Sequence, residues 1–200
     1  GITGENPAKY VYENNSNFDS VLGFHGLEFV LFRNGQNRTV AAFNAEKETE
    51  AGLTSVKTID EAAFAVAVAG DLRNMTYLLE YGWLGLSIPT SHQEQLANAM
   101  WVINGTRYHG LSAKNIPYRD FLRYATTEQG WFPTWHEALQ NIFDGGCGNI
   151  CNEVAEQKLG QAYRVATGTG TSEDAANYIE SPYSKRSFQD YQDNIYSIKN

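Results

Sequence analysis

Helical periodicity is the feature that most constrains how this chain can fold. Apolar residues recur at the i, i+3, i+4, i+7 spacing of amphipathic helices, whereas the alternating pattern typical of strands is scarce. The spacing predicts helices over residues 17–32, 58–81 or beyond, 91–103, 115–125, 134–163 and 181–198. We therefore expect an all-α fold built as an antiparallel helical bundle. We expect residues 1–200 to form one helical region, with a possible internal boundary near 104–116.

Short local sequences predict where these helices begin, end or bend. Thr58-Ile59-Asp60-Glu61 has the form of a capping box, with Thr58 at the N-cap. The pair Asn34-Gly35 predicts the end of the first helix, and Asp144-Gly145-Gly146 predicts a break or a soft point in the long one. The predicted inner side of the second helix consists of Ala62, Val66, Ala69, Leu72, Met75, Leu79 and Trp83.

Charge and hydropathy exclude two classes of partner. The chain carries 15 Lys and Arg against 23 Asp and Glu, so its net charge is 15 − 23 = −8. A nucleic-acid binder needs a basic surface to displace phosphate counterions, so we expect no nucleic-acid partner. The longest apolar run, residues 62–70, is about half of the ~18 residues that a transmembrane helix requires.

The abrupt sequence at both ends predicts that the chain is a piece of a longer protein.

The segment Gly23-Phe24-His25-Gly26-Leu27-Glu28 carries the clearest chemical signal. A His and a Glu three residues apart lie on one face of a helix, where an imidazole nitrogen and a carboxylate oxygen can chelate a divalent or ferric cation. The flanking glycines allow a close approach by another backbone or side chain, and the apolar surroundings predict that both polar groups point inward. The same spacing also fits a buried His–Glu hydrogen bond with a purely structural role. Two protein ligands alone do not complete the coordination shell of either zinc or iron.

Known zinc-peptidase signatures match this segment poorly. The sequence contains no HExxH, and Phe29 after Glu28 excludes the inverted HxxEH form. A carboxypeptidase-like set would need a distant third ligand, for which His92, His109 and His136 are formal candidates. That enzyme type is built around a mixed sheet, which the helical periodicity does not support.

Three blocks of the sequence resemble a known family in the order that the family has them. GFHGLEFVLF resembles the GxHxxE signature of the imelysin-like proteins, the peptidase M75 family. GNICNEVAEQKLGQAY and SPYSKRSFQDYQDNIYSI are similar to two later blocks of the same family. The resemblance implies an all-helical, two-bundle protein of the bacterial cell envelope, periplasmic or lipid-anchored in the outer membrane and linked to iron uptake. It also implies that this chain is the central part of a longer protein, and some relatives are described as insulin-cleaving metallopeptidases.

The resemblance carries functional residues onto matching positions of this chain. His25 and Glu28 become the metal pair, and the later blocks supply four companions: Glu153, Arg186, Ser187 and Asp193. We expect a non-catalytic protein that binds iron or zinc and works with other envelope iron-uptake proteins. The alternative is a metallopeptidase in which Glu28 is the catalytic residue, and a third possibility is a binding module without metal in which the pair only fixes helix packing.

Overall fold

Helices dominate the computed structural model of the chain, which describes residues 21–49, 52, 55–98, 116–175 and 178–199. Five helices form the first part of the described chain: α1 Phe24–Leu31, α2 Val40–Asn44, α3 Thr58–Leu84, α4 Thr90–Asn98 and α5 Tyr118–Arg123. The second part contains α6 Trp135–Gln140, α7 Asn149–Asn152, α8 Gln161–Thr167 and α9 Ser187–Lys199. Two-residue strands, β1 Phe32–Arg33 and β2 Gln36–Asn37, pair antiparallel. The all-α prediction is therefore confirmed. No helix among the described residues is long and apolar enough to cross a membrane.

The predicted stop signal after the first helix is confirmed, and it makes a hairpin turn. α1 ends at Leu31, and Asn34 and Gly35 have φ angles of 51° and 83°. Positive φ at both central residues is the requirement of a type I′ turn, which Asn-Gly satisfies at low cost. The turn joins β1 to β2. Residues 17–20 of the predicted first helix lie outside the described residues.

The capping box predicted at Thr58 is wrong. Thr58 is the first helical residue of α3, and Lys57 is the N-cap without a side-chain hydrogen bond to the helix. The Thr58 hydroxyl instead donates to the carbonyl of Ala45 in the preceding connector. Glu61, which should have closed the box, turns into the interior because two buried guanidinium groups bind its carboxylate.

Those groups belong to a charged quartet formed by Arg33, Arg38, Glu48 and Glu61. Arg38 donates both terminal nitrogens to Glu61, at 3.0 and 3.2 Å, and Arg33 Nη2 lies 3.3 Å from Glu61 Oε1. Glu48 Oε1 lies 3.6 Å from Arg33 Nη2 and 4.0 Å from Arg38 Nη2. All four side chains are largely or fully buried. The quartet therefore ties the hairpin and the connector to the start of α3, which fixes the position of α1.

The inner face predicted for α3 is also wrong. Val66, Met75, Leu79 and Trp83 are exposed. The buried residues of this helix are mostly small or polar: Thr58, Glu61, Ala67, Val68, Asp71, Asn74 and Gly82. Small side chains let neighbouring helices approach closely, and α3 packs against α1, α2, α4 and α5. Apolar residues occur on more than one face of α3, so their spacing could not identify the buried one.

The later helices differ from their predicted forms in two ways. Residues 135–167 form one continuous helix, in which the π-helical stretches Asn141–Gly148 and Glu153–Gly160 alternate with α6, α7 and α8. The predicted break at Asp144-Gly145-Gly146 is therefore only a local widening of the helix. The last helix begins at Ser187 and not at Ser181. The amide of Ser181 donates to Ser187 Oγ, and such side-chain bonds compete with helix formation.

Two shorter helices begin close to where their prolines predict. α4 starts at Thr90 after Pro89, and α5 starts at Tyr118 with Pro117 as its N-cap. The part of the predicted third helix beyond Asn98 lies outside the described residues. The possible boundary near 104–116 also falls almost entirely outside them, so it stays a prediction.

Candidate functional site

α1 carries the predicted His–Glu pair on adjacent turns. His25 Nδ1 lies 3.2 Å from Glu28 Oε2. The Glu28 side chain is only 11% exposed, whereas that of His25 is 60% exposed. The expectation that both groups point inward is therefore right for Glu28 and wrong for His25. The pair consists of an interior carboxylate with an imidazole that solvent can reach.

The two glycines of the motif have different physical roles. Gly23 is the N-cap of α1 and has a φ of 88°, a conformation that a side chain would strain. Gly26 is helical, and a Cβ atom added there would lie 1.9 Å from the carbonyl oxygen of Val21. The prediction that the glycines permit a close backbone approach is confirmed at Gly26. Both glycines hold the start of α1 in the position that presents His25.

A serine distant in sequence binds the other oxygen of Glu28. Glu28 Oε1 accepts hydrogen bonds from the Ser184 amide at 2.8 Å and from the Ser184 hydroxyl at 2.6 Å. Partial burial raises the pKa of Glu28, but the bonds from Ser184 and from His25 outweigh it and lower the pKa overall. Glu28 is consequently held as a carboxylate, with one oxygen toward Ser184 and the other toward His25.

The hairpin and α1 position residues 181–186, which immediately precede α9. The amide of Gly35 donates to the carbonyl of Tyr183 at 2.9 Å. The Tyr183 ring packs edge-on against the ring of Phe29 of α1, with centroids 4.9 Å apart. Gly35 has a φ of 83°, which favours glycine, and a Cβ there would lie 3.1 Å from the Lys185 side chain, which would have to shift. The turn between the strands thus places Ser184 against Glu28.

A cavity of about 420 Å³ opens between α1 and this segment, and we name it the site cavity. Its lining is formed by Phe24, His25, Leu27, Glu28, Leu31, Phe32, Glu180, Ser181, Ser184, Arg186 and Asp190. Three carboxylates and one guanidinium face it. Because the carboxylates are in excess, the electrostatic environment favours a cation.

Of the four predicted companions, one lines the site cavity. Arg186 lines the site cavity, with its guanidinium 5.3 Å from the centroid of the Phe32 ring. Ser187 supports the cavity wall by accepting from the Ser181 amide at 3.1 Å. Glu153 is half exposed and reaches the cavity only through a relay, because Lys158 Nζ lies 3.5 Å from Glu153 and 2.7 Å from Glu180. Asp193 is exposed and accepts from Gln189 at 3.0 Å, outside the cavity lining.

Glu180 is a wall residue of the site cavity that sequence reasoning missed. Its carboxylate accepts from Lys158 and from the Tyr178 hydroxyl. Burial raises the pKa of Glu180, but these two bonds outweigh it and lower the pKa overall. Burial and the bond to Glu180 together raise the pKa of Tyr178. Glu180 is therefore held as a carboxylate on the wall of the site cavity, paired with Lys158.

Ser181, Ser184 and Asp190 were missed as well, for a reason visible in the sequence. The helix predicted over 181–198 includes the segment Ser-Pro-Tyr-Ser-Lys-Arg-Ser, whose serines would then be ordinary surface residues. Its three serines and one proline are turn-forming residues, and a turn here would have freed Ser184 for a long-range contact. The Ser181 hydroxyl donates to Asp190. Asp190 is thus the aspartate of α9 that lines the site cavity, a position predicted for Asp193.

The pair geometry can be compared with what a metal requires. Metal–nitrogen and metal–oxygen bonds are about 2.0–2.2 Å long, so two ligand atoms that subtend roughly 90–110° at the metal lie about 2.8–3.6 Å apart. The 3.2 Å between His25 Nδ1 and Glu28 Oε2 falls in this range. No group of three or more His, Cys, Asp and Glu side chains converges in metal-binding geometry within the part of the chain that the structure describes. The described residues therefore fit a two-ligand contribution to a metal site and not a complete shell.

Comparison with known proteins gives one match. The sequence model of the imelysin family, Peptidase M75, matches residues 7–200, which is nearly the whole chain. The three blocks that resemble this family all lie inside the matched range. Neither the search of curated proteins nor that of solved structures found a match.

Proposed function

Because the chain belongs to the imelysin family, we propose that it is a metal-binding protein of bacterial iron uptake. His25 and Glu28 contribute two ligands, and water or a carried ligand completes the coordination of iron or zinc. We place the protein in the cell envelope, in the periplasm or anchored by lipid to the outer membrane, where it passes the ion to other iron-uptake proteins. The observation that carries the proposal is the 3.2 Å donor separation at the edge of an acidic cavity.

Three properties of the pair support ion binding over a purely structural role. His25 is 60% exposed, so an ion and its water can reach the imidazole without unfolding any part of α1. Glu28 is held ionised, and a metal ligand must be deprotonated. The hydrogen bonds from Ser184 fix the orientation of Glu28, as outer hydrogen bonds commonly do around metal sites.

Glu28 is better suited to binding than to catalysis. A peptidase needs a general base that takes a proton from metal-bound water, and a carboxylate does this best when its pKa is near the working pH. The Ser184 bonds lower the pKa of Glu28 and occupy one of its oxygens. The peptidase alternative therefore receives no support from this geometry, and we infer a non-catalytic role.

The test is a calorimetric titration with Zn²⁺ and with Fe³⁺ supplied as its citrate complex. We expect His25→Ala to weaken binding of either ion by at least about tenfold, because half of the described ligand set is lost. The chain offers a matched control in His92, which also faces a glutamate, Glu80, with 2.5 Å between Nδ1 and Oε2. His92→Ala should leave the affinity unchanged.

Three outcomes decide among the alternatives. Equal affinity in the unmodified protein and in His25→Ala would overturn the proposal, and the absence of binding in both would favour the module without metal. Equal losses in His25→Ala and His92→Ala would mean that exposed imidazoles bind ions indiscriminately, which also overturns it. Chelator-sensitive cleavage of a protein substrate, abolished by Glu28→Gln, would establish the peptidase alternative instead.

A further inference from the structure

A second cavity, of about 640 Å³, lies beside α1, and we name it the aromatic cavity. It is lined by Val21, Leu22, His25, Gly26, Phe29, Val30, Val56, Asp60, Glu61, Phe64 and Tyr183. Seven of these eleven residues are aliphatic or aromatic. Its volume is within the ~300–1,000 Å³ that is usual for sites of small organic ligands.

The two cavities lie on opposite faces of α1. Successive helical residues are rotated by about 100°, so Phe24, Leu27 and Glu28 point away from Gly26, Phe29 and Val30. The first three line the site cavity and the last three line the aromatic cavity. His25 lies between these faces and is the one described residue that lines both cavities. A molecule in the aromatic cavity would therefore contact the imidazole proposed to bind the ion.

Three aromatic rings contribute to the wall of the aromatic cavity. Phe29 and Tyr183 already pack edge-to-face, with centroids 4.9 Å apart, and Phe64 of α3 belongs to the same lining. Aromatic rings prefer edge-to-face or offset contacts with other rings. Branched aliphatic side chains from Val30 and Val56 line the rest of the cavity. This composition suits a flat aromatic molecule.

The charges at the cavity select against an anion. Glu61 is bound by Arg33 and Arg38, and the charged quartet contains two positive and two negative groups, so its net charge is zero. Asp60 is exposed and adds an acidic group without an equivalent positive neighbour in the cavity lining. The chain as a whole has a net charge of −8. An uncharged or cationic molecule is therefore favoured over an anionic one of the same shape.

We propose that the aromatic cavity binds a small aromatic molecule that is uncharged or cationic and that contacts His25 from the side opposite Glu28. This inference goes beyond the proposed function, since binding in this cavity requires no metal. The ring of the bound molecule packs against Phe29, Phe64 and Tyr183. Asp60 at the cavity sets the preference for charge.

The test uses two fluorescent probes in metal-free buffer: neutral N-phenylnaphthylamine and its anionic relative anilinonaphthalene sulfonate. We expect saturable binding of the neutral probe and a weaker affinity for the anionic one. Phe64→Ala should weaken neutral-probe binding about five- to tenfold, which is the loss of one aromatic contact. Asp60→Lys, at an exposed position of α3, should remove most of the preference for the neutral probe.

Phe188 provides the matched control, because it is a phenylalanine on α9 that is 80% exposed and does not line the cavity. Phe188→Ala should leave both affinities unchanged. Binding that is insensitive to Phe64→Ala and to Asp60→Lys would overturn the inference, as would equal affinity for the two probes. Self-association that Phe64→Ala abolishes, without probe binding, would overturn it in favour of an interface between copies. A failed ion titration leaves these probe measurements intact, so the two proposals can fail separately.

Discussion

The residues that the structure describes include two His–Glu pairs that differ in how they are built. His25 and Glu28 lie one turn apart on α1, whereas His92 of α4 reaches across to Glu80 of α3. The His92 ring stacks on Tyr77 with centroids 4.1 Å apart, and its side chain is 29% exposed, against 60% for His25. The pair within one helix leaves its imidazole accessible, while the pair between helices uses its imidazole for packing. The same two residue types therefore associate two helices in one place and, in our proposal, contact an ion in the other.

The surroundings of the two pairs differ in the same way. Near His92, Ile88 and Leu96 form a hydrophobic cluster with Tyr77, Tyr81 and other partly buried side chains of α3. Near His25, the position of α1 depends on the charged quartet and on the hydrogen bonds of Ser184. Removal of one partner from a buried ion pair is strongly destabilising, because the other partner stays in the interior charged and without its hydrogen bonds.

The largest expected effect distinguishes the polar support of α1 from the hydrophobic packing around His92. Glu61→Gln should lower the free energy of unfolding by about 3–5 kcal/mol, because it leaves the guanidinium groups of Arg33 and Arg38 inside the protein without their main carboxylate. Denaturant unfolding measures the loss. Hydrogen exchange should show α1 and the hairpin losing protection first, while the α3–α4 cluster around Leu96 retains it.

Glu46→Gln is the matched control, since Glu46 belongs to the same connector and is exposed. Its effect should stay within about 0.5 kcal/mol. A loss of that small size in Glu61→Gln would show that the charged quartet is not what positions α1. Loss of protection in both regions together would remove the contrast between the two His–Glu pairs.

The parts of this molecule that the sequence predicts are those that depend on neighbouring residues. The His25–Glu28 spacing, the need for glycine at Gly26 and the stop at Asn34-Gly35 all follow from contacts within a few positions. Most helices were located for the same reason, because amphipathic spacing is a local property.

The parts that escaped prediction depend on residues far apart in the chain. Ser184 and Glu28 are separated by 156 positions, and nothing in the local sequence of either indicates the other. Glu61 fits a capping box by its spacing, yet its partners are two arginines of the hairpin. The buried face of α3 was misassigned because small residues, which permit close packing, carry a weaker hydrophobic signal than the exposed Leu79 and Trp83.

A smaller effect comes from Ser184, whose amide and hydroxyl support Glu28 of the first pair. Ser184→Ala removes a hydrogen bond to a carboxylate, so the free energy of unfolding should fall by about 1–2 kcal/mol near neutral pH. Ser91→Ala, at an exposed position on α4 beside His92, is the control and should change little. Denaturant unfolding at several pH values is the measurement.

The pH dependence of the Ser184 effect has a definite sign. The pKa of Glu28 lies below its ordinary value of 4.5 in the folded protein, so its contribution to stability is present above about pH 4.5. That contribution disappears as the pH falls through the lowered folded pKa, where the carboxylate takes up a proton. The difference between the unmodified protein and Ser184→Ala should therefore close in acid. A difference that is the same at all pH values would mean that Ser184 acts through packing and not through the charge of Glu28.

The smallest expected effect compares the two histidines directly. His92→Ala should cost about 1 kcal/mol, since it removes both the stacking on Tyr77 and a partly buried bond to Glu80. His25→Ala should cost less than about 0.5 kcal/mol, because its imidazole is mostly in solvent. Zn²⁺ affinity should follow the opposite order, with a loss only in His25→Ala. If His25 proved the more important of the two for stability, its role would be packing, and the division of roles between the two pairs would be wrong.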